Sequence, residues 1–555
     1  MNKRGFMLIK LLVIVAVIAI VAAEALGDGL NCQREVWVAI RDDGKPGSGT
    51  VTDPFNGGTV EKLNGLFSKF VSEYGDNITM HFGPGVFYGD RPWWPRNNWK
   101  IRGAGMDITV FKTQPNPNRI ETVGFLSRGY DEVLSGFEIS DVTFDFNVSN
   151  LRSPNRAFVT DAGKVTYVYV DVTSEWSAKK EYGHGQIIQF RDSEFIALKA
   201  SRGKLPVQGE FWSVLRSTQP ADLPVWDASG SYSLGEAAAK GERVYLCVES
   251  GPQNSDPSLD AAHWQVVDSN AIDPAVYTRA VFIHGQPPSG GHRATRVKVI
   301  NGNGSRFFRR EAFLIALGGN DCVIEDCIVE QFRGDYATLI IVTYGQNSVV
   351  RGCVVRGNDE SSPYAYGGWA CWNTIFENNF CSNVDLATNI DSLTSRNVTF
   401  RGNTFLDCRK FGIHVNVNGR IIESCRRYSM TIDGKTVTDA DFARSCMDGL
   451  YIYDNYIQIR DDAHGGAIDV QKMRGVSNVV IRGNTLRTTS GSGRARAIVA
   501  LYGKNAIVYD NLCETNMYCR IIPQAFNWYN NVNLLGQPMK SSQGQPITGR
   551  PSKKR

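Results

Sequence analysis

The sequence predicts an all-β solenoid, and three observations carry the prediction. Between residues 297 and 533 a short unit recurs: two or three β-branched or aromatic residues, one small or polar residue, then Asn or Cys. The markers are Asn301, Cys327, Cys353, Asn379, Asn403, Cys425, Asn455, Asn484, Asn511 and Asn531, spaced by 26, 26, 26, 24, 22, 30, 29, 27 and 20 residues. Short β runs at such a period, with turn residues between them, mark stacked coils. No unit is long enough to bury its own apolar face, so the units share one core. Neighbouring coils then lie about 4.8 Å apart, and a side chain in register sits over its counterpart in the next coil. The third observation is the marker itself. Asn and Cys suit an inward corner where stacked amides bond along the axis, each net bond contributing roughly 1 kcal/mol. Ten markers in near-constant register argue against an antiparallel sandwich, whose strands are also evenly spaced.

This stretch resembles the right-handed parallel β-helix of the pectate lyase-like superfamily. The resemblance implies an all-β, right-handed parallel β-helix with an N-terminal cap helix and a small inserted β domain. It also implies a polysaccharide as the class of substrate or ligand, and its tailspike-like relatives imply a homotrimer as one possible assembly. A fold alone does not fix a chemistry.

Residues 1–10 carry three basic residues, 11–23 are unbroken apolar, and Ala23-Glu24-Ala25 is a small-x-small cleavage pattern. Residues 1–25 therefore read as a signal peptide. The apolar run is short for a permanent membrane span, which needs about 20 residues. A competing reading starts from Gly5-Phe6, which resembles the cut site of a prepilin leader, although Lys10 stands where prepilins carry Glu. Both readings export the body of the chain, to the cell surface, the periplasm or the medium.

Residues 34–203 read as the cap and first coils. A turn-rich loop around Asp42-Asp43-Gly44 precedes an amphipathic helix that begins at Thr59, with Val60, Leu63, Leu66, Phe67, Phe70 and Val71 on one face and Glu61 in the first turn. An Asp-Gly loop followed by one helix resembles the N-terminal cap of pectate lyase-like and tailspike β-helices, which covers the open end of the solenoid. Strands are expected at 78–82, 99–102 and 108–111, and an early coil at 141–147. Trp93, Trp94 and Trp99 read as cap packing. From 204 to 268 the texture changes. Trp226, Tyr232-Ser-Leu-Gly235, Tyr245, Pro257 and Trp264 resemble the small chitin- and cellulose-binding modules of secreted glycosidases, departing from them at 236–240. The resemblance implies that Trp226, Tyr245 and Trp264 stack on sugar rings. The alternative is that they fill the small core of an inserted β domain. Residues 269–538 read as further coils and 539–555 as a disordered basic tail.

The net charge of +4 becomes +2 without the first 25 residues, too weak a bias for nucleic acid, and no nucleotide-binding loop is present. Twelve cysteines in 555 residues do not make a disulfide scaffold. The marker cysteines read as small buried hydrophobes, with Cys322–Cys327 and Cys513–Cys519 as the pairs placed to bridge.

In a β-helix the inward positions serve packing, so chemistry falls to outward residues and loops. Aligning Ile390, Ile413 and Ile468 as inward residues puts Asp391, His414 and Asp469 outward on one face, with Asn389, Asn416 and Gln471 beside them. The corresponding coils on either side are apolar, so the polar group is an island. Two aspartates two rungs apart lie about 9–10 Å from one another. Inverting glycosidases separate their carboxyls by about 6.5–9.5 Å, one acting as acid and the other activating water. His414 between them would orient a carboxylate or carry a proton. Cys425 as a marker would add a rung and move Asp469 away, unless residues 428–446 form an excursion. Tyr364, Tyr366, Trp369 and Trp372 concentrate aromatics just before Asp391, where a sugar would stack. Asp461 and Asp462 offer two carboxylates of the several oxygens that Ca²⁺ takes. No nucleophile elbow, zinc-ligand spacing or phosphate loop appears.

The expectation is an exported polysaccharide-degrading enzyme, a glycoside hydrolase using Asp391 and Asp469 with His414 assisting and no required cofactor. Resemblance keeps open a Ca²⁺-dependent lyase with Arg474 or Lys472 as base, and a non-catalytic sugar-binding adhesin or tailspike-like protein.

Overall fold

A computed structural model describes residues 33–547, apart from internal segments of which the longest are 268–277, 417–430 and 437–446. The signal-peptide expectation at 1–25 lies outside the described residues, as do Cys425, Asp462, Gln471, Lys472 and Arg474. Among the described residues no helix is long and apolar enough to cross a membrane.

The chain winds into coils of three strands. One coil runs Val323–Glu325, Ile328–Val329 and Thr338–Gln346, and the next runs Val349–Arg351, Val354–Arg356 and Tyr364–Trp372. Each strand pairs in parallel with its counterpart one coil on. The first two strands of every coil merge into a 24-stranded sheet, and the third strands form a second sheet of 12. The fold is a right-handed parallel β-helix.

The marker corner explains the recurring unit. The residue before each marker adopts a left-handed backbone: Asp326 at φ 53°, Gly352 at 63°, Asn378 at 53°, Asp454 at 59° and Asp510 at 53°. Only Gly, Asn and Asp take that conformation at low cost, so the small or polar residue of the motif is the one that turns the chain. The marker side chain then points inward. Asn379 donates to Asn403 Oδ1 at 3.1 Å, Asn403 to Asn455 at 2.8 Å, Asn455 to Asn484 at 2.9 Å, Asn484 to Asn511 at 2.8 Å and Asn511 to Asn531 at 2.7 Å. The ladder of stacked amides expected from the sequence is present, and Cys353 and Cys327 continue its column. Two markers need correction. Lys298 pairs with Ile328, so Val297 and not Asn301 stands beneath Cys327. Asn301 instead donates to Asp145 at the following corner. Asn403 bonds directly to Asn455, so the ladder has no rung between them, and the Cys425 marker lies outside the described residues.

The nine cysteines among the described residues are buried and free, so neither Cys322–Cys327 nor Cys513–Cys519 is a disulfide. Burial pushes the Cys322 and Cys513 thiols up to about 12, which keeps them inert.

At the N-terminal end the helix Val60–Lys69 starts at Thr59, whose side chain accepts from the Lys62 amide at 3.3 Å. Val60, Leu63 and Phe67 are buried against the open end. Phe111 stacks on Phe144 at 5.5 Å, carrying the aromatic core from the cap into the coils. The solenoid also runs past its expected end. Lys540–Ser541, in the stretch expected to be disordered, pairs with the Tyr518–Ile521 strand, because Met539 and Ile547 bury apolar side chains there.

A long excursion interrupts the early coils. Gly124–Leu126 pairs with Val281–Ile283, and Glu138–Asp145 with Arg293–Ile300, so all strands between belong to separate sheets. Within it one small fold occurs twice. Antiparallel strands Ile187–Phe190, Ser193–Ala197 and Trp212–Val214 match Ala237–Lys240, Arg243–Cys247 and Trp264–Val267. Tyr182 Oη accepts from the Ser177 amide at 2.7 Å, and Tyr232 Oη accepts from the Asp227 amide at 2.8 Å. Trp176, Tyr182, Phe195 and Trp212 thus answer to Trp226, Tyr232, Tyr245 and Trp264, a repeat that lies partly outside the 204–268 stretch. Tyr245 and Trp264 are each 3% exposed and form the core of the second copy, so they present no stacking face. So small a sheet has little other apolar material to bury. Trp226 is half-buried, with Lys240 Nζ 4.7 Å above its ring.

Candidate functional site

The polar island lies on the outer face of the 12-stranded sheet. Strands Thr338–Gln346, Tyr364–Trp372, Leu386–Asp391, Phe411–Asn416, Gly466–Asp469 and Arg496–Ala500 follow one another there. Ile340, Tyr366, Ile390, Ile413, Val415 and Ile468 face the solenoid core. The residues alternating with them face outward.

The register differs from the alignment of isoleucines. Ile413 pairs with Ile468, as expected, but Ile390 pairs with Val415 and Thr388 with Ile413. A displacement of two residues keeps every side chain on its face. It changes the neighbours. Gly367, Asn389, His414 and Asp469 form one outward column, and Asp391 stands beside Asn416 in the next. Asp391 therefore does not share a column with His414 and Asp469. Continuing the pairing of Gly368 with Ile390 places Trp369 in the rung before Asp391. The side chains of Asp391 and Asn416 are outside the described residues, whereas their strands are within them.

Ladder geometry sets the distances. His414 and Asp469 are one rung apart, about 4.8 Å between backbones. Asp391 and Asp469 differ by two rungs and two residues, about 12 Å. Between backbones the pair is wider than the roughly 9–10 Å expected for vertical stacking.

Burial separates the roles further. Asp469 is fully buried and His414 is 4% exposed. The Phe411 ring stacks on the His414 imidazole at 4.2 Å and 23°, and the His414 amide donates to Thr388 Oγ1 at 3.3 Å. Asn389 is half-buried, and its Oδ1 is buried with no hydrogen-bond partner among the described residues. The column is polar only here. Ile341 precedes Gly367 and Val499 follows Asp469.

The aromatics divide. Tyr366 is 1% exposed, and its hydroxyl lies 2.9 Å from the Cys353 carbonyl and 2.7 Å from that of Phe380, so it is a core residue and not a sugar contact. Trp369 is half-buried and packs edge-on against Phe313 at 5.3 Å, in an outer cluster with Phe282, Ala316 and Ile341. Trp372 is half-buried, with the Arg396 guanidinium 5.7 Å from its ring, and Tyr364 is half-buried at the start of its strand. Sequence reasoning missed the apolar platform around Phe282 and Phe313. Its signal was present, since Phe282 and Ile341 occupy outward positions of their strands.

The candidate metal carboxylate is otherwise engaged. Burial alone would raise the Asp461 carboxyl, but hydrogen bonding, chiefly from Ser490, outweighs it and holds the group low. Its oxygens accept from the Ser490 amide at 3.2 and 3.3 Å. Among the described residues no three His, Cys, Asp or Glu side chains converge as a metal site.

A family model described as a right-handed β-helix region matches residues 292–429. Among solved structures, the chain is similar to a glycoside hydrolase, at 11% identity over 94% of this chain and 99% of that one, TM-score 0.38. It is also similar to a tailspike protein mutant of E. coli bacteriophage HK620 in complex with a pentasaccharide, at 10% identity over 91% and 66%, TM-score 0.43. A polygalacturonase from Erwinia carotovora ssp. carotovora is similar at 9% identity over 94% and 97%, TM-score 0.36. These likenesses concern the fold. No curated protein sequence matches the chain.

Proposed function

We propose that the protein is exported and cleaves a polysaccharide by hydrolysis on the outer face of its 12-stranded sheet. The observation that carries the reading is the outward column Asn389–His414–Asp469, polar in adjacent rungs and bounded by apolar ones. A buried carboxylate one rung from a histidine suits it to hold that histidine in one tautomer and support its charge. In this reading Asp469 positions His414, His414 gives a proton to the departing glycosidic oxygen, and Asp391, in the neighbouring column, takes a proton from the water that attacks the sugar carbon. Trp369, in the rung before Asp391, supplies an aromatic face for a sugar ring, and the unpartnered amide oxygen of Asn389 accepts from a sugar hydroxyl.

The test is an assay of reducing ends and of unsaturated uronate on a panel of polysaccharides, with Asp469→Asn, His414→Gln and Asp391→Asn variants. Hydrolysis gives new reducing ends without unsaturated product, and loses rate in all three variants. Unsaturated product would instead indicate elimination, with Ca²⁺ and a base such as Lys472 or Arg474.

A second reading, a sugar-binding surface protein without catalysis, is favoured by one observation. His414 and Asp469 are almost wholly covered, so neither reaches solvent as the chain stands. Saturable binding of a polysaccharide with no product from any polymer would establish it.

A further inference from the structure

A pocket of about 280 Å³ lies at the opposite end of the same sheet, between the cap helix and the strand Pro92–Trp93. Six pairings along the sheet separate that strand from Leu386–Asp391, about 29 Å at the spacing of neighbouring strands. The pocket is therefore distinct from the polar column, and binding there is independent of any chemistry at Asp469.

Its lining combines two arginines with an open indole. Arg91 is held in place: its Nε donates to Asp90 Oδ1 at 2.9 Å, Asn64 Nδ2 donates to the same oxygen at 2.8 Å, and Trp93 Nε1 donates to Asn64 Oδ1 at 3.1 Å. Arg128 enters from the loop after Gly124–Leu126 and is exposed. Trp94 is 44% exposed, unusual for a tryptophan that merely fills a cap, whereas Trp93 and Trp99 are buried. Ser68 adds a hydroxyl, and no carboxylate is among the lining residues.

We propose that this pocket binds a carboxylated sugar, a uronic acid unit within or at the end of an oligosaccharide. A guanidinium fork matches a carboxylate in two parallel hydrogen bonds. The face of an indole takes the apolar face of a pyranose ring. A flat anion without a ring would leave Trp94 unused, and a neutral sugar would bring no carboxylate to the exposed Arg128 guanidinium. The volume sits at the lower edge of ordinary ligand pockets, roughly 300–1,000 Å³, and suits one or two rings rather than a long chain.

The experiment is isothermal titration of the full chain with glucuronate- and galacturonate-containing di- and trisaccharides and with their neutral counterparts. Trp94→Ala and Arg128→Gln are titrated in parallel, and thermal unfolding confirms that each variant folds. Saturable binding of an acidic sugar, weakened roughly tenfold or more in each variant and reduced by salt, supports the assignment. It is overturned if no acidic sugar binds, if neutral counterparts bind equally well, or if both folded variants bind as tightly as the unaltered protein.

Discussion

Asn403 donates its side-chain amide to Asn455 Oδ1 at 2.8 Å, although 52 positions separate them in the chain. The bond stacks the coil of Asn403 directly against the coil of Asn455. His414 and Asp469 become neighbours as a direct result, since Val398–Arg401 pairs with Asp448–Tyr453 in the same two coils.

The amide ladder is expected to be a large contributor to stability. Asn455 accepts from Asn403 and donates to Asn484, and its Nδ2 also lies 3.1 Å from the Phe400 carbonyl. Asn455→Ala leaves several buried partners unsatisfied and should cost about 2–4 kcal/mol. Asn531→Ala, at the ladder's last step, should cost less. Chemical unfolding of both variants checks the order.

Catalysis, if it runs through the outward column, should fall by about 10²-fold or more in His414→Gln and Asp469→Asn. Asp469→Asn should act mainly on kcat and move the alkaline limb of the rate profile to lower pH, because His414 must carry its proton to donate it and loses the carboxylate that supports its charge. Steady-state kinetics across pH on a cleaved polymer decides this.

Stability should decline between pH 6.5 and 4 through His292. Burial pushes its imidazole down from the ordinary 6.5 to about 4, and its Nδ1 accepts the Phe137 amide at 3.2 Å. The unfolded chain binds a proton at pH values where the folded one does not. Stability is therefore full above 6.5 and lost progressively on acidification toward 4, by about 3 kcal/mol. His292→Asn should flatten this part of the profile in unfolding measurements at stepped pH.

Tyr366 and Trp369 should respond differently to substitution. Tyr366→Phe removes a buried hydroxyl facing two carbonyls and should destabilise the fold by about 1 kcal/mol while leaving sugar binding unchanged. Trp369→Ala should weaken binding of the polymer several-fold, beyond its effect on stability. Titration and thermal unfolding of both variants separate the two roles.

Much of the architecture was legible because it is written locally. An αL residue, an inward Asn or Cys and a β-branched run recur within five positions, and each coil repeats the instruction. Thr59 and its helix were legible for the same reason, through a cap and one apolar face. Tyr366 was misjudged because an aromatic-rich strand looks alike whether its rings face core or solvent. The first of the two small modules escaped notice because its match to the second rests on a few aromatics, Trp176, Tyr182 and Trp212, and on one tyrosine hydroxyl bond, scattered among otherwise different residues.

The sequence by itself determined the coil, its corner chemistry and the face on which Asp391, His414 and Asp469 stand, since alternation along a strand has a period of two. Only the tertiary structure decided which of them are neighbours. A displacement of two residues preserves every face while exchanging every vertical partner, and an excursion leaves no trace in the alternation. The choice is made by main-chain pairing between coils and by the amide ladder, which are interactions between residues distant in the chain.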